Sequence, residues 1–165
     1  MNDDRVYNVL FVCAHNAARS LMAEAILNRE GKGHFRGYSA GSQPRTEIHP
    51  YALELLQKMH LDTSVLRPKS WSAFIESAPP PIDFAFTLCD KTAAEPTPNW
   101  PGQPLAIDWS IPDPALVEGN EAQRSLAYAE TFRMITNRIS VFVNLPFERL
   151  NHMSLKEQLI HIGRL

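Results

Sequence analysis

The feature that most constrains this chain is the run Tyr7-Asn-Val-Leu-Phe-Val12, apolar almost throughout and without alternation. A strand buried on both faces reads this way, because neither of its rows of side chains meets water. Such a strand belongs in the middle of a sheet. Good helix formers follow almost at once, from Ala17 to about Asn28, with Met22 and Ile26 four apart on one side.

The same logic predicts a short strand over Phe35 to Ser39, closed by Gly41, and a helix from Pro50 to Met59 that carries Leu53, Leu56 and His60 at helical spacing. Phe84-Ala-Phe-Thr-Leu88 is a further buried-type strand, and Leu105-Ala-Ile107 supplies a fourth. Between and around them, residues 90 to 114 hold six prolines, which predicts a mobile lid or binding loop. Asn120 is an N-cap for a long helix whose Tyr128, Phe132, Ile135, Ile139 and Phe142 are spaced four, three, four, three, and Pro146 stops it. Ser154-Leu-Lys-Glu157 reads as a capping box opening a last amphipathic helix.

Strands alternating with helices predict an α/β fold: one domain over 1–165, a parallel sheet of about four strands, helices on both faces. Ligands of such sheets bind beyond the carboxyl ends of the strands.

Charge removes some partners. The 16 basic and 18 acidic residues are interspersed and leave a formal charge of -2, so no basic track for a nucleic acid exists. The acidic Met-Asn-Asp-Asp start and the short apolar run Val9 to Ala14 fit neither a signal peptide nor a membrane span, and predict a cytoplasmic protein. In that reducing compartment the two cysteines, Cys13 and Cys89, are either inert buried thiols or a reactive pair, and they lack the spacing of a zinc site.

The surroundings of Cys13 favour reactivity. Cys13-Ala14-His15-Asn16-Ala17-Ala18-Arg19-Ser20 lies between a central strand and a helix. Five residues between Cys and Arg can curl so that backbone N–H groups point inward beside the helix N-terminus, making a cradle for a tetrahedral anion. That field predicts a lowered Cys13 pKa and a nucleophilic thiolate. Arg19 offers a planar fork for two anion oxygens. Ser20 has a hydroxyl to donate to the Cys13 sulfur, and Asn16 can brace the loop or accept a left-handed backbone; either is otherwise an ordinary helix-start or turn residue. The His15 ring is expected to point away from the anion. Asp113, fixed by Pro114, can supply the proton that a leaving oxygen needs; alone, the dipeptide would be a plain turn.

With these residues in view, the cradle, Ser20-Leu-Met-Ala-Glu-Ala, Tyr38-Ser-Ala-Gly-Ser42 and Asp113-Pro114 resemble the low-molecular-weight protein tyrosine phosphatase superfamily over nearly the whole chain, which implies a flavodoxin-like topology. Thr87-Leu-Cys-Asp-Lys91 and Leu145-Pro-Phe-Glu-Arg-Leu150 are most similar to its arsenate reductases of the glutathione and glutaredoxin type. The resemblance implies that Cys13 attacks arsenate, that Asp113 assists loss of water, and that a second thiol, Cys89 or an external one, releases arsenite. Glutathione with glutaredoxin, or thioredoxin, would then restore the thiols, with no bound cofactor or metal. Some relatives hold potassium near the cradle, for which Asn16, Ser39 and Asp62 are the matching groups here.

Two departures limit the comparison. Ala18 stands where relatives often carry a cysteine, and Pro96 and Thr97 stand where many reductases carry a third thiol. Two other readings stay open: a phosphatase of the same nucleophile and acid in which Cys89 is a spectator, and an oxyanion sensor that binds without turnover. Against the phosphatase, Asp113-Pro114 is followed by Ala115-Leu-Val rather than by aromatic residues.

Overall fold

The computed structural model describes residues 5–89 and 97–165. Four parallel strands form one sheet: β1 (Tyr7–Val12), β2 (Phe35–Ala40), β3 (Phe84–Thr87) and β4 (Leu105–Asp108), in the order β2-β1-β3-β4. β1 is therefore internal, as its composition requires. Its odd residues Val9 and Phe11 enter the larger core, while Leu10 and Val12 enter a second, smaller one on the opposite face. Both rows are buried, which is why no alternation survives in the sequence.

Helix α1 (Arg19–Glu30) returns the chain from β1 to β2, and its buried Met22, Ile26 and Leu27 pack into the larger core. Helix α2 (Pro50–Lys58) buries Ala52 and Leu56; Leu53 is only half-buried, and His60 is exposed beyond the helix end at φ 59°. A helix that the sequence pattern does not reveal, α3 (Trp71–Glu76), is capped by the Ser70 hydroxyl and puts Phe74 into the smaller core. Its six residues are too few to display a period. Helices do cover both faces.

Helix α4 (Glu121–Val143) opens with a full capping box between Asn120 and Gln123, and ends short of Pro146. Helix α5 (His152–Ile162) starts one turn before the expected cap. Asn151 caps it and Ser154 is the reciprocal partner three residues on, in place of the Ser154/Glu157 box. Asn caps a helix as well as Ser does, and the earlier position brings Leu159 and Ile162 onto the core.

Two features concern the ends of the sheet. At the amino end, Phe142 sits among Phe35, Phe84 and Phe147 with ring centroids 5.1–5.6 Å away, and Tyr7 stacks beside them. Beyond the carboxyl end of β4, Trp109 stacks on Phe86 at 3.7 Å and donates through Nε1 to the Leu159 carbonyl; ahead of β4 in the chain, Trp100 meets Trp71 edge-on. The part of the predicted lid from 97 to 114 is thus a strand and two seated tryptophans; its beginning, 90–96, lies outside the described residues.

Candidate active site

Strand order decides what meets what. β1 and β3 are neighbours, with Val12 opposite Thr87 and the Leu88 N–H on the Val12 carbonyl at 2.9 Å. The residues that leave these two strands, Cys13 and Cys89, therefore emerge side by side where the strand order changes direction. They form a small buried cluster with Ala14, each cysteine 3% exposed. The Ala14 N–H donates to the Cys89 Sγ at 3.2 Å, and the two thiols hydrogen-bond one another.

From Cys13 the chain curls through residues 14–18 into α1. Asn16 makes the curl possible, with φ 45° and an amide used at both ends. Its Nδ2 donates to the Ser20 Oγ at 2.7 Å, and its Oδ1 accepts from the Lys69 N–H at 2.9 Å. Both supports predicted for Asn16 are present together. Ser20, fully buried, accepts from Asn16 and makes no hydrogen bond to the Cys13 sulfur, so its part is to brace the loop. The His15 ring faces outward to the Gln43 carbonyl. Among the described residues, the N–H groups of His15, Asn16, Ala17 and Ala18 find no acceptor in the protein, which leaves them for an anion. Gly41 allows the loop to lie so close to β2: a Cβ there would come within 2.5 Å of the Cys13 carbonyl oxygen and 2.6 Å of that of Ala14.

Arg19 is 8% exposed and has a second task beside the expected clamp. Its Nη1 donates to the Ile111 carbonyl at 3.0 Å and more weakly to that of Leu88 at 3.5 Å, and its Nη2 lies 3.4 Å from the Asp113 carboxylate. The guanidinium thereby ties the end of β3 and the acid-bearing segment to the loop. A guanidinium carries five N–H donors, so others stay free for oxygens of an anion. Asp113 accepts from the Ala115 N–H through Oδ1, which opens a short 3-10 turn at Pro114–Leu116 and aims the other oxygen at Arg19.

One expectation is reversed. The Cys13 pKa is raised, first by the hydrogen bond with Cys89 and then by burial; Arg19 pulls it down without overcoming them. The loop and helix end alone lower the value, and the neighbour that outweighs them follows β3, 76 positions along the chain.

A cavity of about 380 Å³ opens over the loop, walled by Cys13, Arg19, Asp113, Tyr128 and the segment 45–50. The potassium candidates do not converge. Asp62 binds its own Ser64, whereas the Lys69 ammonium donates to the Ser39 carbonyl at 3.1 Å and lies 4.0 Å from buried Glu24. No cluster of three His, Cys, Asp or Glu side chains suited to a metal exists among the described residues. Nor, among them, is any helix long and apolar enough to cross a membrane.

The family model for low molecular weight phosphotyrosine protein phosphatases matches residues 8–154. The chain belongs to this family. Within it, the chain is 29% identical to the glutaredoxin arsenate reductase of Synechocystis over 106 residues, 64% of this chain and 77% of that one. It is 26% identical to the arsenate reductase of Halalkalibacterium halodurans over 142 residues, 86% of this chain and 96% of the relative. Among solved structures, a thioredoxin-dependent arsenate reductase of Corynebacterium glutamicum superposes with a TM-score of 0.63 at 30% identity, covering 84% of this chain; the chain spans 60% of that protein's length. The phosphatase-family fold expected from the sequence is thus the observed one.

Gly41, Lys69, His49 and Tyr128 belong to the site as well. In the sequence Gly41 reads as the end of a strand and as part of the Tyr38–Ser42 motif, and Tyr128 as a core position. Lys69 and His49 carry no local signal, since each acts through a neighbour distant in sequence.

Proposed function

We propose that this protein reduces arsenate to arsenite with two thiols of its own and an external thiol donor of the glutathione, glutaredoxin or thioredoxin class. Arsenate enters the cradle of residues 13–20, held by loop N–H groups and by Arg19. The Cys13 sulfur, as thiolate, attacks arsenic, and one oxygen departs as water with a proton from Asp113. Cys89 then attacks the Cys13 sulfur. A sulfur–sulfur bond forms, the sulfur–arsenic pair of electrons stays on arsenic, As(V) becomes As(III), and arsenite leaves. Two electrons from the external thiols return the disulfide to two thiols.

The observation that carries this reading is the Cys89 Sγ lying against the Cys13 thiol and the first N–H of the anion loop. A thiol so placed is within reach of the Cys13 sulfur for the second attack. A phosphatase needs water at that step and gains nothing from a second sulfur there. With Ala18 and Thr97 in place of further cysteines, the external donor has to reduce the Cys13–Cys89 bond itself.

The test couples arsenate to NADPH consumption through separate glutathione/glutaredoxin and thioredoxin systems, with an aryl phosphate assay alongside. Loss of arsenate turnover in both Cys13→Ser and Cys89→Ser is expected, and the system that supports the wild type names the donor. Aryl phosphate hydrolysis that survives Cys89→Ser, without any arsenate reduction, would make the protein a phosphatase. Arsenate binding without turnover of either substrate would make it a sensor.

A further inference from the structure

Tyr128 sits at the N-terminal end of the apolar row of α4, below Phe132 and Ile135, and is 1% exposed. Its hydroxyl is buried and has no hydrogen-bond partner, one of two such side-chain atoms among the described residues. The other, Arg138 Nε, belongs to a side chain that donates to the Trp109 carbonyl and does not line the cavity over the loop. Tyr128 does line that cavity, together with Cys13, Arg19 and Asp113.

The ring is held from outside the core. His49, which caps α2 by accepting from the Tyr51 N–H, stacks on Tyr128 with centroids 4.7 Å apart at 25°, and Tyr51 packs against it at 5.5 Å. Two rings therefore fix the direction of one phenol. A buried donor without an acceptor is destabilising, and native folds seldom keep one unless a ligand or function offsets the cost.

We propose that Tyr128 is a substrate-binding residue: its hydroxyl donates a hydrogen bond to an oxygen of the tetrahedral anion held in the cradle. It approaches from the α4 wall, whereas the loop N–H groups approach from the α1 end. The inference rests on the reading of the loop as an oxyanion site. In support, burial and the nearby Asp113 carboxylate push the phenol pKa up to about 12, so the group stays a protonated donor throughout the working range. Arg19 and Arg124 oppose that rise, which puts the hydroxyl within the field of the site's own arginine. Neither Asp113 nor Arg19 is itself hydrogen-bonded to it.

Tyr128→Phe keeps the ring and its stack and deletes one oxygen. The full-length chain is titrated with inorganic phosphate by calorimetry, and arsenate kinetics and thermal unfolding are measured on the same preparations. The expected result is phosphate affinity and kcat/KM for arsenate each lowered by about tenfold, with a Tm equal to or above the wild type when no anion is present. Phosphate should also raise the Tm of the wild type more than that of the variant. Unchanged affinity overturns the proposal, and so does a lowered anion-free Tm with unchanged affinity, which would make the hydroxyl structural. Wild-type protein that neither binds phosphate nor turns over arsenate would remove the oxyanion site itself, a result separable from failure of Tyr128 alone.

Discussion

The two ends of the sheet are built on opposite principles. At the amino end, Phe35, Phe84, Phe142 and Phe147 fill space with rings and bring almost no polar atoms inside. At the carboxyl end, Asn16, Arg19, Ser20, Ser39 and Glu24 are all buried, and each is held by named partners. Aromatic packing tolerates imprecision, since a ring that shifts keeps most of its contacts. A buried polar network does not, because each broken bond strands a desolvated group. Stability should therefore reside at one end and catalysis at the other, and substitutions can test how cleanly the two separate.

The largest effect is expected at the nucleophile. Cys13→Ser should lower arsenate turnover by about 10⁴-fold or more, while the Tm stays close to the wild type. Phe142→Ala tests the other end: it should cost about 3–5 kcal/mol in chemical denaturation, with activity per folded molecule unchanged. A matching loss of activity in the folded fraction would show the ends to be coupled. Asn16→Ala should cross the divide by itself. It leaves Ser20 and the Lys69 N–H unpartnered, and is expected to lose about 1–3 kcal/mol of stability together with phosphate affinity.

Smaller effects concern protons. Because the Cys89 contact is the leading cause of the raised Cys13 pKa, Cys89→Ala should speed alkylation of Cys13 by iodoacetamide near neutral pH and shift its pH profile to lower values. An unshifted profile would mean that burial dominates. Glu24 also has a raised pKa, from burial opposed by Ser39 and Lys69. For an acid so shifted, the fold favours the protonated form. Its contribution is fully present below the ordinary value of 4.5 and is lost as pH rises through the higher folded value. Glu24→Gln should therefore flatten the fall of stability with pH in that window, as read by urea unfolding at several pH values.

The amino-acid sequence discloses the loop and the sheet far better than it discloses their neighbours. Cys13, Arg19 and the strand before them form a contiguous pattern with its own physics, and the apolar runs of β1 and β3 announce central strands. Asp113 is readable because proline marks it. The Cys13–Cys89 contact depends instead on β3 pairing with β1, and strand order leaves no local mark. That missing neighbour is why the loop pattern alone points to a lowered Cys13 pKa, whereas the fold raises it. The third helix was too short to show a period. Tyr128 fits the apolar row of its helix, and the one signal that sets it apart is a hydroxyl among phenylalanines and isoleucines.

Strand adjacency has a consequence for how chemistry can change on this scaffold. On the proposed reading, residue 89 decides what the covalent adduct meets next. A sulfur there completes an electron transfer, and a smaller, inert side chain would leave room for a solvent molecule and a hydrolytic finish. Two reactions of different classes would then lie one codon apart, with the anion loop, its arginine and its acid serving both unchanged.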